Sequence, residues 1–292
     1  MKRRESHYSG WFLLPAAMLF TLFFVLPNLA GLVMSFTDWS SYHPLQPLFN
    51  GLQNFIDLFQ TSIFFTAVKN TILFMALTSV VKLVAGLLLA IVLNNQLRYK
   101  NIYRTIIFSP YVINPMVVAI VFSALYNPDY GPINIFLRSI GLGFLAQHWL
   151  TDLKFAMLSI SAMDIWMGIG GVVVIFLAGL QAIPKDYVES AMIDGAGSVR
   201  RFLHITLPLM VYAIAICTIL CVIGGAKVFA QVYGLTNGGP ADATQVYGTF
   251  IFKFFSQGLF GFSAAAGLIF TIVISAVSFI LLRFFRRLEA DY

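Results

Sequence analysis

The sequence ESAMIDGAGSVRRFLHITLP, residues 189–208, is the most polar run between two long apolar segments of the chain. Pro184, just before it, suits the first turn of a helix, and Asp186 can cap the free N–H groups of that turn. Small and apolar residues then recur at helical spacing, at Ala191, Met192, Gly195, Ala196 and Val199. The pattern predicts a short helix, at about Tyr187–Val199, with a face that docks into the cleft of a partner. A solvated linker is the alternative.

The whole chain has the composition of an integral membrane protein, since 59% of its residues are hydrophobic and 10% are charged. We expect an all-α fold of one domain, residues 1–292, with six transmembrane helices, because six apolar segments can each cross a hydrocarbon core about 30 Å thick. They are residues 11–36, 64–93, 104–126, 155–180, 207–229 and 263–285. The first could be a secretory signal, but it exceeds the usual apolar core of roughly 7–15 residues, which favours a retained helix.

Lysine and arginine are distributed unevenly among the predicted loops. Four clusters of three lie at the two termini and in the second and fourth loops: Lys2, Arg3, Arg4; Arg98, Lys100, Arg104; Lys185, Arg200, Arg201; Arg283, Arg286, Arg287. The other three loops carry Arg138, Lys154, Lys227 and Lys253. By the positive-inside rule, both termini and the loop 184–208 are cytoplasmic. The net charge of +6 is then a topology signal, so nucleic acid is not needed as a partner.

The sequence predicts no catalytic residues and no metal ligands. Nothing matches the phosphate-binding pattern G-x-x-x-x-G-K-[ST], so ATP, if used, must bind another polypeptide. The four histidines are scattered and lack ligand spacing. Cys217 and Cys221 are four residues apart on one apolar helix, too far apart for an unstrained disulfide. They are predicted to be small core residues rather than metal or redox groups.

Two charged residues fall inside predicted membrane spans. Asp164 lies in the fourth span, where a carboxylate costs several kcal/mol unless it is paired, protonated or facing water. It therefore predicts a ligand pathway; the alternative is a structural partner, with Gly168 and Gly171 as helix-packing positions. Lys82 lies in the second span, and the two residues are at depths of roughly 18 and 24 Å from the cytoplasmic helix ends. Lys82 pairs with Asp164, extends toward the cytoplasmic interface or lines the contact with another subunit.

The polar run resembles the cytoplasmic coupling loop of ABC-importer permeases, whose pattern is EAA, three residues, Gly, nine residues and Ile-x-Leu-Pro. Here Glu189-Ser190-Ala191 is followed by Gly195 and by Ile205-Thr206-Leu207-Pro208, with every gap matching and Ser190 in place of an alanine. Asp194-Gly195-Ala196 is most similar to the sugar-importer branch. Asn70-Thr71 and Thr236-Asn237-Gly238-Gly239-Pro240 look like the corresponding motifs of maltose- and glycerol-phosphate-type permeases.

This resemblance implies a type I importer permease fold in a bacterial or archaeal cell membrane. The chain would be the permease subunit, not an enzyme, of an ATP-driven, binding-protein-dependent importer of a sugar or oligosaccharide. Its implied partners are a second homologous permease in a heterodimer, two cytoplasmic ATPase subunits that bind ATP and Mg²⁺, and an extracytoplasmic solute-binding protein. No cofactor would bind this chain itself.

The resemblance also implies two sets of functional residues. The loop 184–208 would contact the ATPase. The residues implied for this contact are Glu189, Ser190, Ala191, Asp194, Gly195, Ala196, Arg200, Arg201 and Pro208. The translocated sugar would be faced by Asp164, Met167, Gly168, Gly171, Cys221, Gly224 and Gly225. Trp166 is a candidate for stacking on a sugar ring. Glycine at four of the pathway positions indicates a wider cavity than that of the maltose-type permease.

Two other classes remain as alternatives. A secondary transporter would use an ion gradient, with Asp164 as a protonatable relay. Such transporters often have repeated halves, and no convincing internal repeat is present. A membrane-bound enzyme would need a cluster of histidine, cysteine or carboxylate residues at one depth.

Overall fold

The computed structural model describes residues 10–95 and 98–290, and within them the protein is all-helical, as predicted. Those residues contain no β-strand, only an isolated antiparallel bridge between Thr37 and Phe49. The α-helices in chain order are α1 (Leu14–Phe20), α2 (Leu26–Met34), α3 (Gln53–Gln60), α4 (Ser62–Asn94), α5 (Lys100–Val112), α6 (Pro115–Leu125), α7 (Pro132–Ser139), α8 (Ala156–Ala182), α9 (Lys185–Ile193), α10 (Ser198–Arg201), α11 (Leu207–Leu209), α12 (Val211–Ala226), α13 (Ala230–Leu235), α14 (Tyr247–Ser256) and α15 (Phe260–Ala290). The basic cluster Lys2, Arg3 and Arg4 lies outside the described residues.

Four helical segments of the described chain are long and apolar enough to cross a membrane: Trp11–Met34, Ser62–Asn94, Ala156–Ala182 and Phe260–Arg287. They match the first, second, fourth and sixth predicted spans to within a turn at each end. The third and fifth predicted spans are bent pairs of helices. The pair α5 and α6 bends by 99°, and Ser198–Leu209 bends by 68° against α12. The count is therefore four to six, and six spans stays a prediction.

The bend in the third span has a local cause at Asn114-Pro115. A residue before proline is disfavoured in the helical conformation, and both Ile113 and Asn114 are extended, with ψ of 142° and 129°. Pro115 then occupies the first turn of α6, where its missing N–H costs nothing. The Asn114 side chain accepts a hydrogen bond from the N–H of Met116 at 2.9 Å and so caps the new helix.

By its contacts, the chain divides into two units. The first contains the described residues 10–61 and 251–271. Its first helical segment, Trp11–Met34, exposes its apolar side chains, as expected for a surface that faces lipid. Asn54 of α3 ties the end of this segment to the following loop, because its Nδ2 donates to the carbonyls of Ser35 at 2.9 Å and Thr37 at 2.7 Å.

The second unit contains the described residues of 62–250 and 272–290, and α4, α8 and α12 form its core. Small and branched residues let these long helices approach closely. The core includes Ala90, Val172, Val173, Phe176, Leu177, Met210, Ala213 and Cys217. This core is apolar, so a polar side chain buried next to it needs a polar partner.

A polar contact fixes the loop after α13 to the start of α4. Asn70 Nδ2 donates to the carbonyls of Ala243 at 2.9 Å and Gln245 at 3.0 Å, and Thr71 Oγ1 accepts from the N–H of Tyr247 at 2.8 Å. Burial raises the pKa of the Tyr247 phenol, so it stays protonated at neutral pH. The Asn70-Thr71 pair therefore serves as an anchor for this loop.

Candidate functional site

A buried polar cluster joins three helices of the second unit. The ammonium Nζ of Lys82, on α4, lies 2.6 Å from Oδ2 of Asp164, on α8. Gln231, on α13, donates its Nε2 to the other carboxylate oxygen, Oδ1, at 2.9 Å. The side chains of Lys82 and Asp164 are only 12% and 6% exposed. Of the three alternatives that the sequence left for Lys82, the structure has the ion pair with Asp164.

This pairing explains how two charges are tolerated among apolar helices. An isolated buried charge is strongly disfavoured, whereas a pair with satisfied hydrogen bonds has a much smaller cost. Asp164 accepts one hydrogen bond at each oxygen, from Lys82 and from Gln231. The cluster is polar but formally neutral.

The cluster forms one wall of a cavity of about 360 Å³. Six of the seven predicted pathway residues line this cavity: Asp164, Met167, Gly168, Gly171, Cys221 and Gly224. Gly225 does not; it packs instead against α4, where a Cβ would lie 2.9 Å from the Cα of Met75. The structure thus brings the fourth- and fifth-span candidates together, while their contact with a substrate stays a prediction.

At Gly168 in the cavity wall, the absence of a side chain makes room for Lys82. A Cβ there would lie 2.8 Å from both Cε and Nζ of Lys82. The lysine side chain therefore crosses α8 at the glycine to reach Asp164, one helical turn away. Besides any role toward a ligand, Gly168 leaves space for the ion pair.

The aromatic residue beside the cavity is Tyr111 rather than Trp166. Trp166 is 47% exposed, packs against Phe122 with ring centroids 5.3 Å apart, and is not among the cavity residues. Tyr111 lines the cavity, is 53% exposed, and has its ring against Gly171. A tyrosine ring offers an apolar face together with a hydroxyl that both donates and accepts hydrogen bonds.

Sequence reasoning missed both Tyr111 and Gln231. Tyr111 follows Pro110 just before the bend between α5 and α6, so the bend sets its position. Gln231 is the second residue of the short α13, which follows the end of α12, and it is a polar residue in a mostly apolar run. A polar residue next to a helix break was the available signal in each case.

The coupling segment, residues 184–208, contains the predicted helix as α9, but this helix is shorter than expected. It ends at Ile193 rather than continuing to Val199. Gly195 has φ of +76°, which L side chains rarely adopt. Its N–H bonds to the carbonyl of Met192 at 3.0 Å, and that of Ala196 bonds to Ala191 at 2.9 Å. These two bonds form a Schellman motif, which terminates the helix.

The coupling candidates lie on either side of this turn. Glu189, Ser190 and Ala191 are on α9, Asp194, Gly195 and Ala196 form the turn, Arg200 and Arg201 are on α10, and Pro208 is in α11. Apolar side chains are exposed beside them, with Ile193 87% and Val199 71% accessible. Arg201 also closes the turn, because its guanidinium donates to the carbonyl of Ala196 at 2.9 Å. The segment therefore presents exposed apolar side chains on either side of a hydrogen-bonded turn.

The described residues contain no group of three or more histidine, cysteine or carboxylate side chains that could hold a metal ion. Cys217 and Cys221 are free and buried on α12, and Cys221 lies at the cavity wall.

Residues 82–289 match the model of the family described as "Binding-protein-dependent transport system inner membrane component". The chain is 34% identical over 278 residues, 94% of each chain, to the probable ABC transporter permease protein YurN of Bacillus subtilis. It is 30% identical to the multiple sugar-binding transport system permease protein MsmF of Streptococcus mutans, covering 97% of both. It is 30% identical to the trehalose/maltose transport system permease protein MalF of Thermococcus litoralis, covering 94% of this chain and 92% of that one.

Two solved structures have a similar fold. A crystal structure of a bacterial ABC transporter involved in the import of the acidic polysaccharide alginate superposes with a TM-score of 0.83 at 27% identity, covering 95% of this chain and 96% of that one. A second, of a bacterial alginate ABC transporter in complex with an alginate pentasaccharide-bound periplasmic protein, superposes with a TM-score of 0.81 at 26% identity, covering 95% of both chains.

Proposed function

The chain belongs to the family of binding-protein-dependent transport system inner membrane components, and we propose that it is the permease subunit of an ATP-driven importer of a sugar or oligosaccharide. It is a membrane protein with a type I ABC permease-like fold. The proposed substrate class draws support from relatives whose names specify sugars. The proposal treats residues 1–292 as one permease domain with six spans and cytoplasmic termini.

The observation that carries the proposal is the cavity beside the Lys82–Asp164–Gln231 cluster. Sugars are recognised by directed hydrogen bonds to hydroxyls and by aromatic stacking on the apolar faces of the ring. The cavity supplies ionic and amide groups at the cluster and an aromatic face at Tyr111. Its wall is otherwise formed by small and apolar residues, so few groups would hold a passing substrate tightly. A transport pathway needs binding that is weak enough for release.

In this proposal, the coupling segment transmits ATPase motion to the cavity. Glu189 and the small residues Ala191, Gly195 and Ala196 would meet an ATPase cleft, with Ile193 and Val199 as apolar contacts. Because the Schellman turn is rigid, force on α9 would move the neighbouring long helices as bodies and switch the cavity between the two sides. ATP and Mg²⁺ would bind the ATPase subunits, and this chain would carry no catalytic group or cofactor.

The complete importer would contain three kinds of partner protein. A second homologous permease would enclose the pathway as a heterodimer, two ATPases would bind the cytoplasmic face, and a solute-binding protein would deliver the sugar outside. No nucleic acid is involved. The distribution of lysine and arginine supports this orientation, because loops rich in these residues favour the cytoplasmic side.

The test is uptake by the complex that co-purifies with this chain from its native membranes. Reconstituted in proteoliposomes with its binding protein, it should accumulate a radiolabelled sugar only when ATP is present on the ATPase side. Glu189→Ala should reduce both uptake and binding-protein-stimulated ATP hydrolysis. The cause would be either weaker coupling in an assembled complex or loss of the ATPase from it. Uptake by the chain alone, driven by an ion gradient without an ATPase, would overturn the proposal.

A further inference from the structure

The cavity wall has no net charge although it contains two ions. Among the described residues that line it, Lys82 and Asp164 are the formally charged ones, and they pair with each other at 2.6 Å. Gln231 occupies the second carboxylate oxygen. The remaining wall is apolar apart from the hydroxyl of Tyr111 and the thiols of Cys217 and Cys221. A ligand in the cavity therefore meets a strong local dipole rather than a positive or negative field.

We propose that the Lys82–Asp164–Gln231 cluster makes this cavity selective for uncharged, hydroxyl-rich sugar units over anionic ones of the same size. The inference rests on the proposed function and goes further, because sugar import alone leaves the charge of the substrate open. It assigns the pairing of Lys82 with Asp164, which cancels the charge of the wall, as the feature that determines specificity; neither Lys82 nor Gln231 is among the pathway residues predicted from the sequence.

An anionic sugar would meet two costs in this cavity. It would lose water around its carboxylate or phosphate, and the positive charge that could compensate is already balanced by Asp164. Drawing Lys82 away would leave the Asp164 carboxylate buried with only the Gln231 amide, close to a ligand of the same charge. A second cation that could take over is absent from the described cavity residues.

An uncharged sugar meets neither cost. A hydroxyl both donates and accepts, and an ammonium has three donors, of which Asp164 takes one. Gln231 uses one N–H on Asp164, and its carbonyl oxygen can accept from a second hydroxyl. The Tyr111 ring offers the apolar face of the sugar a stacking surface. The sugar can thus bind while the ion pair stays closed.

The cavity size agrees with one small sugar unit at a time. Its volume of about 360 Å³ lies near the lower end of the range of ligand pockets, roughly 300–1,000 Å³. Gly168 keeps the cluster at the wall, because the lysine occupies the space beside the glycine instead of projecting into the cavity centre.

The experiment is saturation-transfer NMR on the co-purified importer in lipid nanodiscs with two matched probes, methyl glucoside and methyl glucuronoside. The probes differ in a hydroxymethyl group against a carboxylate. Titration of this signal should give a Kd about tenfold lower for the neutral probe, the ratio expected if the charge costs one decade in affinity. Equal Kd values for both, or preference for the glucuronoside, would overturn the inference while leaving sugar import standing. Transfer to neither would contradict the proposed function and, with it, the inference.

Charge variants give the decisive comparison. Asp164→Asn leaves the Lys82 ammonium unpaired and should reverse the preference toward the glucuronoside. Lys82→Gln/Asp164→Asn keeps the cavity neutral and should retain the preference for the glucoside. Asp129→Asn, at an exposed position outside the cavity, is the matched control and should change nothing. An unchanged preference in folded Asp164→Asn would overturn the inference. If that variant does not fold, Lys82→Gln decides: it leaves the Asp164 carboxylate without its cation and should strengthen the preference for the glucoside, and an unchanged preference there would overturn the inference.

Discussion

Gly168 and Lys82 share one space: a Cβ on the glycine would lie 2.8 Å from the lysine Nζ. Gly168→Ala should therefore push the ammonium away from Asp164 and destabilise the protein by about 1–3 kcal/mol, as overpacking does. The apparent unfolding temperature in nanodiscs measures this. Gly267→Ala, on α15 with open space around it, is the matched control and should be neutral or slightly stabilising.

A double-mutant comparison identifies the cause of that loss. In a Lys82→Gln/Asp164→Asn background the ion pair is gone, so Gly168→Ala should cost clearly less than in the native chain. An equal loss of stability in both backgrounds would mean that the alanine clashes with the helices themselves. Gly168 would then not be needed to make room for the lysine.

Removing one charge of the Lys82–Asp164 pair should destabilise the protein more than removing both charges. Lys82→Gln leaves the Asp164 carboxylate buried without a counter-ion and should destabilise the protein by up to about 3–5 kcal/mol. Lys82→Gln/Asp164→Asn removes both charges and should be more stable than Lys82→Gln alone. Denaturant titration of the three proteins in the same detergent gives the order. A double variant less stable than the single would contradict buried pairing.

The sequence predicted the elements that depend on local patterns. Apolar length located the four unbroken spans, and the motif around Glu189 and Gly195 located the coupling segment. Asn114-Pro115 is a local signal for a helix break, but the continuous hydrophobicity of residues 104–126 predicted one unbroken span. The end of α9 was also local, since Gly195 is the usual residue of a left-handed helix terminus.

The cluster could be predicted only in part, because its contacts join residues far apart in the chain. Lys82 and Asp164 were compatible in depth, but depth does not specify which helix faces point toward each other. Gln231 reaches Asp164 only because the chain breaks after α12 and restarts as α13. Side-chain direction on a short helix after a break follows from packing, not from periodicity.

The loop after α13 should depend on the amide of Asn70. Asn70→Asp replaces the Nδ2 donor by an acceptor that faces the carbonyls of Ala243 and Gln245, and should cost about 1–3 kcal/mol. Amide hydrogen exchange over residues 243–247 should become faster. Asn101→Asp, at an exposed position on α5, is the control and should leave that exchange unchanged. Unaltered protection in Asn70→Asp would mean that other contacts hold the loop.

The turn after α9 should require glycine at 195 but not at 197. Gly195 has φ of +76°, so Gly195→Ala forces an L side chain into the left-handed region, at about 1–2 kcal/mol. Gly197 lies two residues away with φ of −63° and open space around it, so Gly197→Ala should fit. The amide of Ala196, bonded to Ala191, should exchange faster in the first variant only. In the co-purified importer, Gly195→Ala should also lower stimulated ATP hydrolysis more than Gly197→Ala. Equal exchange and equal hydrolysis in the two variants would show that the left-handed turn is not what shapes the coupling segment.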